Sequence, residues 1–263
     1  MNTTQLLISG WTFNPMVLAA GIGIVAIYLV EFGMTTRFWW MIAAVATAFL
    51  ALLSPLDTLA NGYLFSAHML QHTLLLLVAP AFFLMSLPRN ARPPKVLAPI
   101  LARPLPCWIA GAASMYVWHI PALCNAATSN SAVFAIETVS LLALGAAFWW
   151  QIIGPSGHNR LSPPGAIIYL FATCMACSAL GIIVTFSPVS VCPVFVNPTD
   201  RLGLLHTLRG DWGLTSDKDQ QLGGLMMWVP LCFVYLGAIF WQVARWFSPG
   251  AETHPPLHGG HVK

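Results

Sequence analysis

The chain has 263 residues, of which 57% are hydrophobic and only 7% charged, with a formal net charge of +3. An ordinary soluble domain carries roughly 25% charged residues, so the composition excludes a soluble globule and points to an integral membrane protein. The small positive charge, with no Lys/Arg run and no aromatic-basic pattern, excludes nucleic acid as a partner.

In chain order, the opening MNTTQLLISGW carries no Lys or Arg. It lacks the positive segment of a cleavable signal peptide, and the first span is expected to stay. Segments long enough to cross a bilayer, roughly 17–25 residues each, are bounded by polar and Pro/Gly-rich breaks. They are expected at 14–32, 38–53, 62–87, 105–124, 132–153, 165–186 and 221–247, about seven transmembrane helices in an all-α polytopic bundle. The connections TTR, PRNARPPKVLAPILARP and GPSGHNRLSPP and the tail hold Arg37, Arg89, Arg92, Lys95, Arg103, Arg160 and Lys263, against Arg201, Arg209 and Lys218 on the other side. By the positive-inside rule this places the N-terminus outside and the C-terminus in the cytoplasm. Residues 1–247 read as one transmembrane domain with a folded outer loop at 187–220, and 248–263 as a disordered cytoplasmic tail carrying His254, His258 and His261.

The third span contains FSAHMLQHTLLLLVAP, in which His68, Gln71 and His72 sit within one turn of an otherwise oily segment. Hydrocarbon penalises such groups, so an intramembrane cluster of them raises a functional site by default. His68 and His72 are spaced i, i+4, which puts their rings on one helix face about 6 Å apart. Helical rise puts them roughly 9 and 15 Å below the outer boundary. His119, Glu137, Met226 and Met227 fall at a similar level on three other spans, and Met115 shares the His119 face at i−4. Imidazole with thioether suits copper, particularly Cu(I), over calcium or magnesium. Zinc also fits two histidines and a carboxylate. Haem is less suited, because i, i+4 histidines cannot ligate opposite sides of one iron. The plainer reading stands beside this one: membrane histidines serve as interhelical hydrogen-bond partners, Met fills gaps, and Glu137 pairs with a histidine.

Among the six cysteines, Cys174 and Cys177 form C-x-x-C in the sixth span, readable as a transient Cu(I) site or as a small-residue packing face. Cys124 and Cys192 both fall on the outer side, where a disulfide can join the fourth span to the long loop. Cys107 and Cys232 read as packing.

Four segments in order, SPLDTLA with SAHMLQHTLLLLVAP, then YVWHIPAL, then DQQLGGLMMWVP, resemble the multi-spanning CtaG-type cytochrome c oxidase assembly factors of bacteria over residues 54–246. The resemblance implies a non-enzymatic, multi-pass plasma-membrane protein for maturation of a haem-copper oxidase, at the stage of copper delivery or insertion. Its partner would be an oxidase subunit or another assembly factor. The matching positions are Asp57, His68, His72, Trp118, His119, Pro121, Asp219, Gln220, Gly224, Met227 and Trp228. In the fifth span many relatives have an H-x-x-E-H stretch, whereas this chain reads VFAIETVS and keeps only Glu137. The resulting metal set is His68, His72, His119, Glu137 and Met227, with Met115, Cys174 and Cys177 as further sulfur candidates. Asp219 opens the seventh span, where a carboxylate suits the positive helix end and would face an arriving cation. With Asp57 and Gln220 it is expected at an access or partner surface. A membrane haem or redox protein using the same histidines is the alternative.

Overall fold

The computed structural model describes residues 3–155 and 160–248, and the expected histidine-bearing tail lies outside them. The described residues form α-helices with short 3-10 and π turns and no strand. They are α1 (Thr3–Ser9), α2 (Pro15–Phe32), α3 (Phe38–Leu53), α4 (Pro55–Gly62), α5 (Phe65–Thr73), α6 (Ala79–Ser86), α7 (Ala98–Leu101), α8 (Pro104–Trp118), α9 (Pro121–Ser129), α10 (Ser131–Ile153), α11 (Pro163–Phe186) and α12 (Ser216–Phe247). By length and composition five helical stretches can cross a membrane alone, and seven can if each of two bent pairs counts as one span. The protein is thus an all-helical, multi-pass membrane protein.

The helix ends follow from local chemistry. Asn14 and Asn130 cap α2 and α10, their side-chain oxygens accepting from Met16 N–H (3.0 Å) and Ala132 N–H (2.8 Å), which satisfies donors that have no partner inside the helix. α2 ends at Gly33, whose φ of 68° is natural only for glycine. The two bent pairs are α3 with α4, at 49°, and α8 with α9, at 76°. Each bend precedes a proline: Ser54 before Pro55, and His119-Ile120 before Pro121. Proline has no N–H to continue the ladder and pushes the residue before it out of the α region; Ile120 accordingly has ψ of 125°. The fourth span, expected as one straight helix over 105–124, is therefore two helices.

α5, a π-helical turn (Leu74–Val78) and α6 make one span, Phe65–Ser86, in the middle of the bundle. It packs against α3, α4, α10 and α12. Pro80 follows the π turn and offers no N–H to the Leu76 carbonyl. That carbonyl is met closely by Gly145 of α10, where a Cβ would sit 2.1 Å from Leu76 O. On α12, Gly224 lies against Thr185 and a Cβ there would meet the Thr185 backbone nitrogen at 2.8 Å. Small residues at such crossings let helices approach to backbone distance, the usual route to association in lipid. Ile22, Ile27 and Val30 on α2 and Ile168, Phe171 and Ile183 on α11 remain exposed, the apolar faces that a bilayer would cover.

One end of the bundle carries Arg37 and Arg160. Arg37 donates to the carbonyls of Met85 and Leu87 (3.2 and 2.9 Å), and Arg160 to those of Gly154 and Ile153, cations at helix C-termini where the dipole favours them. The opposite end is covered by the segment between α11 and α12. It is pinned by a Cys124–Cys192 disulfide and by its own small core, in which Leu204 and Leu208 pack with Leu6, Ala60, Tyr63 and Leu64.

Candidate metal centre

The centre lies at the histidine end, inside the covering segment. His68 and His72 occupy one face of α5, their ring centroids 4.3 Å apart. α5 begins at Phe65 rather than 62, so His68 falls on its first turn, about 5 Å from the helix start by helical rise. Its own N-cap position, Leu64, supplies no side-chain cap. The cap comes from α12: Phe65 N–H donates to Asp219 Oδ2 at 2.7 Å, and Ser66 N–H and Oγ–H donate to Oδ1 at 3.0 and 2.6 Å. Asp219 is 1% exposed. The surface role expected of it gives way to another: a buried carboxylate that closes the positive end of the histidine helix. Gln220 likewise holds the covering segment, accepting from Val191 N–H (3.0 Å) and donating to the carbonyls of Val184, Ser187 and Val189.

Glu137 reaches in from α10. Its Oε1 lies 3.0 Å from His72 Nε2 and 3.8 Å from His68 Nε2, and ligand atoms of the three residues lie within 4.8 Å of one another. All three side chains are buried, and among the described residues no Lys or Arg pairs with Glu137. The polar neighbours of the fully buried His68 ring are the Ala60 backbone and the Glu137 carboxyl group, the latter 3.8 Å from Nε2. A carboxyl group beside two imidazoles is a donor set that could hold a metal ion.

His119 is placed by the break between α8 and α9. Its N–H bonds to the Tyr116 carbonyl at 3.2 Å instead of the Met115 carbonyl one residue earlier. The ring Nδ1 then takes the Met115 oxygen that the helix has released. A carbonyl only accepts, so Nδ1 carries the proton, and in the neutral ring Nε2 presents its lone pair. That lone pair faces Met69 Sδ at 3.0 Å. Two acceptors so close, with the tautomer fixed from behind, have the form of a soft nitrogen-sulfur pair held by outer hydrogen bonding.

Next to these groups is a small cavity of about 10 Å³, lined by His72, His119, Met115 and Met227 with Thr73, Leu76, Leu77, Leu141 and Leu231, and not by His68, Met69 or Glu137. This is the room of roughly one water-sized particle. Met227 therefore joins the histidines, although α12 starts at Ser216 and places it a turn or more deeper along its helix than the sequence suggests. Met226 does not line the cavity. Asp57 sits apart at a recess of about 420 Å³ bounded by Thr12, Asn14 and Phe134. It is joined to the centre through Gln71, whose Nε2 donates to Asp57 Oδ1 (3.1 Å) and to the Ala51 carbonyl (2.8 Å). Cys174 and Cys177 lie on α11 and do not line the cavity, though Cys177 Sγ is 3.5 Å from Met115 Sδ.

Two residues escape the sequence reading. Met69 follows His68 on a different side of the helix, and nothing in its spacing links it to His119. Phe195 belongs to the covering segment: its ring centroid is 5.7 Å from His68 and 6.0 Å from Phe65, and its carbonyl accepts from Arg209 at 2.8 Å. It closes the roof over His68 three residues after the disulfide.

No curated protein and no solved structure matches the chain. A family model described as cytochrome c oxidase caa3 assembly factor matches residues 17–248, most of the chain and every residue of the centre just described, and the chain therefore belongs to that family.

Proposed function

We propose that this assembly factor binds copper, as cargo, in the pocket of His72, His119 and Met227, with His68 and Glu137 beside it on the His72 side, and passes it to a subunit of the oxidase under assembly. The observation that carries the reading is the particle-sized cavity lined by two imidazoles and two thioethers, a donor set for Cu(I). The neighbouring carboxylate supplies negative charge to a cation leaving water. A cavity of about 10 Å³ is far too small for a porphyrin, which weighs against the haem alternative. The arginine end belongs in the cytoplasm of a bacterial cell by the positive-inside rule, and the histidine end on the outer side of the plasma membrane. The recess at Asp57, one helical turn from Glu137 through Phe134, is then the access path from outside. The role is one of holding and delivery, with no bond-making catalysis in it.

Copper per folded chain, measured in the purified protein with oxidase activity in the same membranes, tests the reading. Wild type should hold copper with nitrogen among its neighbours, and His72→Ala and His119→Ala should lose that nitrogen-bound copper and mature oxidase at unchanged protein level. Copper-free wild type, or variants that keep full oxidase activity, overturns it.

A further inference from the structure

Next to the histidine cavity, on the side of α11 and α12, four sulfurs converge. Cys177 Sγ–H donates to Met115 Sδ at 3.5 Å, and Met115 itself lines the cavity. Cys174 Sγ lies 2.8 Å from Cys232 Sγ of α12, and Ser178 Oγ lies 3.4 Å from that same sulfur. Cys174 and Cys177 are i, i+3 neighbours on one face of α11, so the two sulfur pairs are one helical turn apart. All three cysteines are free. Packing accounts for single buried cysteines as small hydrophobes. It does not account for two sulfur pairs, Cys174 with Cys232 and Cys177 with Met115, one helical turn apart along α11, the second of them reaching a cavity lined by imidazoles.

We propose that Cys174, Cys177 and Cys232, with the Met115 thioether, form a second site that accepts one Cu(I) from the histidine cavity. The identity of the ion rests on the copper reading above. The donors are all soft sulfur, with no imidazole or carboxylate, so the site selects the monovalent ion over Zn(II) or Cu(II). On binding, one S–H bond breaks and one Cu–S bond forms, the proton leaves to the aqueous buffer, and copper stays monovalent. One thiolate balances one Cu(I), and the remaining sulfurs bind as neutral donors. The occupied site then carries no net charge, the arrangement that costs least in a dry interior. Met115 touches both compartments and is the step between them.

The test is anaerobic Cu(I) titration of the full-length protein in detergent against a chromogenic chelator, with copper K-edge X-ray absorption at one and two equivalents. Wild type should hold two Cu(I), the second surrounded by sulfur alone. The triple variant Cys174→Ser, Cys177→Ser, Cys232→Ser should hold one, with nitrogen still among its neighbours, and His72→Ala should retain the sulfur-only ion. The wild-type spectrum needs no variant, so misfolding of the triple variant does not shield the proposal. A wild type that saturates at one copper with nitrogen ligands overturns this inference and leaves the proposed function standing. A wild type with one sulfur-only copper, unmoved by His72→Ala, supports this site and sinks the histidine reading. No copper at all removes both, and a Cys174–Cys232 disulfide in anaerobically prepared protein removes this site alone.

Discussion

The two histidines of α5 and His119, at the end of α8, are brought to one centre by opposite means. His68 and His72 are set by helical continuity: four residues of unbroken register put both rings on one face, and a carboxylate from α12 holds the helix end above them. His119 is set by interruption, its ring taking a carbonyl that a continuous helix would have used. A site assembled both ways is firm where α5 presents its pair and adjustable where α8 ends. The two halves should respond differently to substitution.

The largest effect is expected at the cap of α5. Asp219→Ala removes the acceptor of three hydrogen bonds. Charge-assisted bonds are worth about 1.5–3 kcal/mol each and are not additive, so a loss of about 3–5 kcal/mol is expected. Membrane level and thermal stability in detergent should both fall, with Asp219→Asn intermediate. A variant of normal stability that fails only in oxidase maturation would return Asp219 to an access role.

Cys192→Ser comes next. Removing a native disulfide typically costs about 2–4 kcal/mol. Here the loss should loosen the segment that carries Phe195, so that backbone amides of the covering segment exchange faster and His68 becomes reactive towards an imidazole-directed reagent. Cys124→Ser should match it, and the double variant should be no worse than either single one. If His68 stays as protected as in wild type, Phe195 is not its roof.

His72→Ala should weaken binding at the histidine pocket by at least ~100-fold, since loss of an outer-shell partner alone costs about 10–100-fold, with little change in stability because α5 keeps its cap. Equilibrium competition with a Cu(I) chelator reads the affinity. The smallest effect is expected from Pro121→Ala. It lets α8 continue, returns the Met115 carbonyl to the backbone ladder and turns the His119 ring out of place, for a ~10-fold loss of affinity. His68 and His72 should keep their environment, seen as unchanged ring signals in NMR. Signals that move together across all three histidines would break the distinction between the two halves.

Much of this was legible in the residues, and the parts that were not share a cause. Periodicity reports neighbours on one helix, so the shared face of His68 and His72 and the isolation of Glu137 in an apolar span could be read directly. Contacts between spans have no such ruler. Asp219 at the head of α12 reads as serving its own helix, whereas its partners lie 153 and 154 residues away. Met69 is the residue next to His68 and takes its meaning only from where α8 breaks. Pro121 announced that break, but the apolar run across it reads as one span. The Cys124–Cys192 pairing was open as a possibility because both fall beside the same loop, while the meeting of Cys174 with Cys232 depends on the close approach of α11 and α12.

The cap of α5 also ties the site to the order in which the chain is made. α5 leaves the ribosome some 150 residues before Asp219 does, and until then the first turn of the histidine helix has no acceptor for its free N–H groups. Glu137 and His119 are already synthesised by that time, so every ligand but Met227 exists before the helix that carries two of them is secured. A nascent or truncated chain lacking the last span thus holds most of the donors without the frame. α12, made after all of them, converts a collection of side chains into a framed site.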